Sequence, residues 1–229
     1  MSISLGSFNC RGLGEKLKRV DVFNWIKKKK IDICILIDTH CSEASEAKWK
    51  EEWGAEIVFG SVDSNRRGVA VLFSKDLCYE LHDQKRILDN NALILDISFG
   101  AMRFTLVAIY GPNNDSPDFF DNLQEEIDLF GNENVIIGGD FNVVQNYDLD
   151  TYKYKTKNNT RAQKRLAEIV QGIGYIDIWR EMNPNRKLFT WKGSQSKRSR
   201  LDYFLVNESL QTLCRQAVSY THLTLPTKA

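Results

Sequence analysis

The chain has 229 residues, 42% of them hydrophobic and 11% aromatic, which supplies a folded core and excludes disorder over the whole length. No apolar run approaches the ~20 residues that span a bilayer, and the opening MSISLGSFNCRGLG lacks the basic-then-apolar order of a signal peptide, so a soluble intracellular protein with no membrane partner is expected. The formal net charge of +1 hides an asymmetry: 16 Lys/Arg stand against 25 Asp/Glu in residues 1–152, a balance of −9, and 13 against 3 in residues 153–200, a balance of +10.

In chain order, a short apolar run predicts a strand over 3–9. A helix begins near Lys16 with Val20, Phe23 and Ile26 on one face, and strands follow over 33–37 and 68–73. Strands over 93–99 and 103–109 are separated by Gly100-Ala101, a hairpin-length gap. Phe119, Leu123, Ile127 and Phe130 mark a second helix, 135–138 a further strand, and Leu166, Ile169, Val170 and Ile173 a third helix. Strands over 188–191 and 201–206 close the series. No Pro/Gly/Ser-rich linker or internal repeat divides these elements. The expected fold class is therefore α/β in one domain, a mixed two-sheet sandwich flanked by helices rather than a purely parallel sheet.

Cys10, Cys34, Cys41, Cys78 and Cys214 are odd in number and contain no C-x-x-C pair. They read as core thiols in a reducing compartment, not as a disulfide framework or a zinc site. The chain has three histidines, His40, His82 and His222.

The informative pattern lies where strands end. The first runs into Asn9-Cys10-Arg11-Gly12, the second into Asp38-Thr39-His40, and the strand over 103–109 into Tyr110-Gly111-Pro112-Asn113. The strand over 135–138 runs into Gly139-Asp140-Phe141-Asn142, and Arg200-Leu201-Asp202-Tyr203 opens the last. Singly, Gly138-Gly139-Asp140 and Tyr110-Gly111-Pro112-Asn113 fit ordinary turns. Five polar endings in one domain read together as one carboxylate-and-amide site. Such donors suit a hard, oxygen-seeking ion such as Mg²⁺ and not zinc. The chemistry they support is phosphoester hydrolysis, in which a carboxylate activates water and amides hold phosphate oxygens.

Over roughly residues 3–215 the sequence resembles the exonuclease-endonuclease-phosphatase superfamily. The motifs FNCRGL, DTH, VAIYGPN, IIGGDFN, FTW and SRLDYFLV narrow the resemblance to the apurinic-endonuclease-like endonuclease domain of LINE-type non-LTR retrotransposons. The resemblance implies a DNase I-like four-layer sandwich, a Mg²⁺ or Mn²⁺ cofactor, and nicking of one strand of double-stranded DNA to prime insertion. It also implies a parent polyprotein with a reverse transcriptase, element RNA as a further partner, action in the nucleus, and a monomer.

By position, the resemblance assigns Asn9 to the phosphate pocket beside the metal and Asp38 to the place of a metal-binding glutamate. Tyr110 would contact the scissile phosphate, Asp140 would orient or deprotonate the attacking water, and Asn142 would hold a phosphate oxygen. Asp202 would orient a catalytic histidine, and Thr190 and Trp191 would belong to a DNA-facing hairpin. The basic block surrounds that hairpin, with Lys153, Lys155, Lys157, Arg161, Lys164 and Arg165 before it and Lys192, Lys197, Arg198 and Arg200 within it. Charge alone leaves open a DNA face or a merely solvated one.

The chain departs from the pattern twice. Asp38 is one methylene shorter than glutamate, and no Ser-Asp-His motif follows RLDYFLV. The expectation is a nuclease domain over 1–217 whose C-terminal strand is missing, weak or inactive, with 218–229 a non-native, adapter-like tail. His222 belongs to that tail, His40 reads as a structural residue or one supporting the metal site from behind its ligands, and His82 as a surface residue. The rival readings are a catalytically dead DNA-binding remnant and a phosphatase or phosphodiesterase of the same superfamily.

Overall fold

A computed structural model describes residues 2–61, 67–89 and 91–218. In chain order the elements are β1 (Leu5–Asn9), α1 (Lys16–Lys28), β2 (Ile33–Ile37), α2 (Glu43–Trp53), β3 (Ile57–Gly60), β4 (Val69–Phe73), β5 (Glu80–Ile87), β6 (Ala92–Phe99), β7 (Met102–Tyr110), α3 (Pro117–Phe130) and β8 (Val135–Asp140). They continue with α4 (Tyr147–Asp150), β9 (Thr151–Tyr152), α5 (Thr160–Ile173), β10 (Tyr175–Asp177), α6 (Ile178–Met182), β11 (Trp191–Lys192), β12 (Arg198–Ser199), β13 (Asp202–Asn207) and α7 (Glu208–Gln211).

Two mixed sheets form the centre, one ordered β1-β2-β4-β3 and the other β10-β13-β8-β7-β6-β5. Period-2 alternation sorts the side chains between layers. In β2, Ile33, Ile35 and Ile37 join Leu93, Leu95 and Ile97 of β6 and Phe104, Leu106 and Ala108 of β7 in the core between the sheets. Cys34 and Leu36 point the other way, to Val22, Phe23 and Ile26 of α1 and Trp49 and Trp53 of α2. Ile94, Val107 and Ile109 face Phe120, Leu123 and Ile127 of α3 and Leu166 and Ile169 of α5. The result is a helix–sheet–sheet–helix stack, the four-layer α/β sandwich expected. Gly100-Ala101 joins β6 to β7 as a two-residue hairpin, with Gly100 at φ 58°.

Some elements differ from expectation. Residues 188–190 are not a strand, and pairing begins only at Trp191, opposite Ser199. Helix α2 and strand β5 went unforeseen. The first has Trp49 and Trp53 as its only buried residues, and the second is an edge strand exposed along all but its last residue. Ile173 is exposed and Val20 only partly buried, whereas Val22 and Arg19 complete the inner face of α1. Cys10, Cys34 and Cys41 are buried thiols, but Cys78 is exposed. From residue 219 the tail, with His222, lies outside the described residues.

Gly138 and Gly139 lie within β8 and do not form a turn. A Cβ on Gly138 would stand 2.3 Å from the Phe204 ring and 3.0 Å from Ile35 Cδ1, and one on Gly139 would stand 2.1 Å from the Ile109 carbonyl oxygen. The pair permits close approach between β8 and its neighbours at the end of the sandwich where the polar residues collect.

Candidate active site

Strand direction brings the polar endings together. β1 and β2 run parallel with Asn9 opposite Ile37, and β7 and β8 run parallel with Tyr110 opposite Asp140. β13 runs antiparallel to β8, so Asp202 at its start stands opposite Asp140. The two sheets thus present Asn9 and Asp38 on one side and Tyr110, Asp140, Asn142 and Asp202 on the other.

Asp140 is the hub. Its Oδ2 accepts from Asn9 Nδ2 at 2.9 Å and its Oδ1 from the Asn142 N–H at 2.9 Å. Asn142, held at φ 52°, donates its side-chain amide to the Gly111 carbonyl at 2.7 Å, and its own carbonyl accepts from Asn159 Nδ2 at 2.9 Å. Asn9 Oδ1 accepts from the Arg11 N–H at 3.2 Å. Burial raises the Asp140 carboxyl above the usual carboxylate range against the lowering effect of those donors, with Asp38 adding to the rise. Desolvation and the neighbouring Asp140 charge push Asp202 up to about 7, and burial with Asp38 and Asp140 nearby pushes the Tyr110 phenol up to about 12. Two carboxyls side by side with raised affinity for protons form an environment that favours a bound cation or a proton-accepting role.

Asp38 sits at φ 56° and His40 at φ 55°, left-handed conformations that Asp and His tolerate better than most residues. His40 Nε2 lies 3.1 Å from Asp38 Oδ1. The segment is tied on both flanks: Gly12 N–H donates to the Asp38 carbonyl at 2.7 Å, and Thr39 N–H to the Gly68 carbonyl at 3.1 Å. His82 is exposed on β5, its Nε2 2.8 Å from Ser98 Oγ.

The donor set offered to a metal is oxygen alone, from Asp38, Asn9 and the paired carboxyls of Asp140 and Asp202. Among the described residues no three His, Cys, Asp or Glu side chains gather into a closed cage. Mg²⁺ needs only one or two carboxylates and keeps most of its waters, so the residues fit that ion and not one that demands a full protein shell.

Thr190 precedes β11 and turns its hydroxyl toward the start of β13. Its hydroxyl accepts from the Leu201 and Asp202 N–H groups at 3.0 and 3.1 Å and hydrogen-bonds to the Asp202 carboxyl. It therefore fixes the start of β13. Trp191 pairs with Ser199 and Lys192 with Arg198 in a small sheet ordered β11-β12-β9.

Arg200 requires a correction: it is 1% exposed and its guanidinium is turned into the protein. Its guanidinium binds Asp150 Oδ1 at 2.8 Å and Asp177 Oδ2 at 2.5 Å, and Asp150 also takes Arg180 at 2.6 Å. Burial alone would lower the Arg200 pKa, but the two carboxylates more than offset this and raise it. This network ties α4 and β10 to the entry of β13. The signal in the sequence is that Asp177 is one of only three acids in residues 153–200. Lys18, whose ammonium caps the loop after β1, was also not foreseen.

The remaining basic residues divide. Arg198 is exposed, with its guanidinium 5.8 Å from the centre of the Tyr152 ring, and Lys197 stands 5.9 Å from that of Tyr154. Lys153 and Lys157 lie over Tyr152 and Tyr147. Arg161 is exposed. Arg165 is committed to Asp121 at 2.5 Å and Glu168 at 3.0 Å, and Lys164 lies 4.0 Å from Glu168. A face with cations interleaved among tyrosines thus survives around β9 and β12, with Arg200 removed from it and Arg165 partly neutralised.

The model of the Endonuclease/Exonuclease/phosphatase family matches residues 6–223. An uncharacterized 149 kDa protein of transposon TX1 from Xenopus laevis is 26% identical over 219 residues, covering 93% of this chain and 16% of that protein. Among solved structures, an AP endonuclease from Archaeoglobus fulgidus superposes with a TM-score of 0.75 at 18% identity, covering 92% of this chain and 88% of the other. The 3′ phosphatase NExo from Neisseria, bound to a product DNA hairpin, gives 0.72 at 18% identity, covering 92% and 89%. These solved structures share the two-sheet fold.

Proposed function

Given that the chain belongs to the Endonuclease/Exonuclease/phosphatase family, whose members are generally divalent-metal dependent, we propose that it is a Mg²⁺- or Mn²⁺-dependent endonuclease that nicks one strand of double-stranded DNA. The observation that carries this reading is the Asn9–Asp140–Asn142 hydrogen-bonded set beside Asp202, with a cation-and-tyrosine face on the adjoining small sheet. Asp140, fixed by donors on both oxygens, accepts a proton from the attacking water, and its raised pKa makes it a stronger base than a free carboxylate. Asn142 and Tyr110 hold the phosphodiester in line with that water. Asp38 and Asn9 would hold the metal, which supplies charge neutralisation at the phosphate oxygens. Asp202, anchored by Thr190, keeps Asp140 in register.

The transposon relative supports placing this activity in a retrotransposon, where the nick primes insertion by the reverse transcriptase of the same polyprotein with element RNA as template. In this reading the nuclease domain is residues 1–217, a monomer acting in the nucleus. The chain spans 16% of the length of that relative. Nicking of supercoiled plasmid tests the proposal: conversion that requires Mg²⁺ and is lost with EDTA and in Asp140→Asn supports it. Phosphate release from inositol phosphates without nicking would favour a phosphatase. Salt-sensitive DNA binding without nicking would favour the non-catalytic DNA-binding remnant.

A further inference from the structure

Arg11 lies two residues beyond Asn9, in a loop anchored with unusual completeness. The Lys18 ammonium donates to the carbonyl oxygens of Cys10 at 2.7 Å, Arg11 at 3.1 Å and Gly12 at 2.7 Å, which engages all three of its N–H groups. Arg11 is held at φ 48°, its N–H donates to Asn9 Oδ1, and the next N–H, of Gly12, donates to the Asp38 carbonyl. A non-glycine residue in this conformation is maintained only where its surroundings over-determine it. The backbone ties here reach both candidate metal-side residues, Asn9 and Asp38.

Arg11 is exposed, and among the described residues its guanidinium has no hydrogen-bond or ion-pair partner. Its positive charge nevertheless acts on Asp140, Asp202 and Tyr110, lowering the proton affinity of each. A rigid root with an unengaged guanidinium beside the carboxylate hub suits a planar fork waiting for an anionic ligand. Arg200 shows the contrast, since its guanidinium is occupied by two buried carboxylates and is unavailable to any ligand.

We infer that Arg11 is a phosphate-contacting residue of this site, its guanidinium donating to a non-bridging oxygen of the scissile phosphodiester from a loop that Lys18 locks in place. The inference rests on the proposed nuclease reading and deepens it. Lys18 is a positioning residue, since its ammonium is taken up by three backbone carbonyls.

The test uses the full chain and three variants, Arg11→Ala, Arg11→Lys and Lys18→Met, with single-turnover nicking and DNA binding measured against salt concentration. Arg11→Ala is expected to nick about 10²-fold more slowly, to flatten the log-log salt slope of binding by about 0.9, and to recover part of its rate when guanidinium ion is added. Arg11→Lys should keep the salt slope and lose part of the rate, because one ammonium replaces a bidentate fork. Lys18→Met should slow nicking while leaving the slope unchanged. Parental rate and slope in Arg11→Ala would overturn the inference. So would a slow Arg11→Ala whose slope matches the parent and which guanidinium does not rescue, because Arg11 would then be structural only. A parent chain that neither nicks nor binds DNA would overturn the nuclease reading itself, and the inference with it. A parent that binds without nicking leaves the salt slope to decide for or against Arg11.

Discussion

Asn9 and Asp140, 131 residues apart in the chain, are joined by a 2.9 Å hydrogen bond that crosses from the first sheet to the second. The bond holds the Asp140 carboxylate in one orientation and, through Asn9 Oδ1 and the Arg11 N–H, ties in the loop that carries Arg11.

Asn9→Ala therefore removes a partner from a buried carboxylate and releases the Arg11 loop together. The expected outcome is a loss of about 1–3 kcal/mol in urea unfolding and a fall in nicking of about 10²-fold or more. Unchanged stability with lost activity would mean that Asn9 acts on the substrate alone.

Asp202→Asn should stabilise the protein while impairing it. The folded carboxyl titrates at about 7 against about 3.9 in the unfolded chain, so the folded state favours the protonated form. That contribution is complete below pH ~4 and is lost as pH rises from about 4 to about 7. The variant should gain about 1–3 kcal/mol at pH 8 and almost nothing at pH 4, measured by chemical denaturation in EDTA. A pH-independent difference would show that ionisation of Asp202 carries no stability cost.

Arg200→Met should cost about 3–5 kcal/mol, because Asp177 loses its guanidinium partner and the buried Asp150 keeps Arg180 alone. In the fraction that remains folded at low temperature, the salt slope of DNA binding should equal that of the parent. A flattened slope would restore Arg200 to the DNA face.

Lys197→Gln with Arg198→Gln should have the opposite profile, with stability within about 0.5 kcal/mol of the parent. The salt slope should be lowered by about 2 if each side chain neutralises one phosphate. Binding titrations at several salt concentrations check this, and a parental slope would assign the tyrosine-lined face to something other than DNA.

Asp38→Glu separates reach from conformation. The longer carboxylate extends toward the metal and should raise Mg²⁺-dependent nicking and lower the Mg²⁺ needed for half-maximal rate. At φ 56° Glu is less well tolerated than Asp, so stability should fall by up to about 1 kcal/mol. A rate that does not rise would show that the shorter side chain is no handicap in this loop.

Much of this arrangement is legible from the sequence because β2, β6 and β7 bury both faces and stand out as apolar runs, and because a strand followed at once by Asp or Asn marks its end. Residues 9, 38 and 140 fit that rule, whereas Tyr110 closes its strand with an aromatic and Asp202 opens the last one, and the structure brings all five together. Helix α2 escaped because Ala, Glu and Lys fill most of it and its burial rests on Trp49 and Trp53. Strand β5 escaped because an exposed edge strand has no apolar periodicity to read. The misplacement of Arg200 has a deeper reason: the sign of a charge is written in the sequence, but its partner 50 residues away is not. The role of Thr190 was hidden likewise, since a hydroxyl that anchors Asp202 and one that faces DNA look the same in a motif.

At residue 138 a single hydrogen stands where a methyl would meet the Phe204 ring at 2.3 Å and Ile35 from the facing sheet at 3.0 Å. Since Asp140 lies two residues further along the same strand, the gap between the halves of the site is a matter of core packing as much as of the polar residues themselves. A chain carrying alanine at this position would keep every polar residue of the site and still hold them at the wrong separation. Loss of chemistry would then originate in the hydrocarbon interior, where no inventory of catalytic side chains would reveal it.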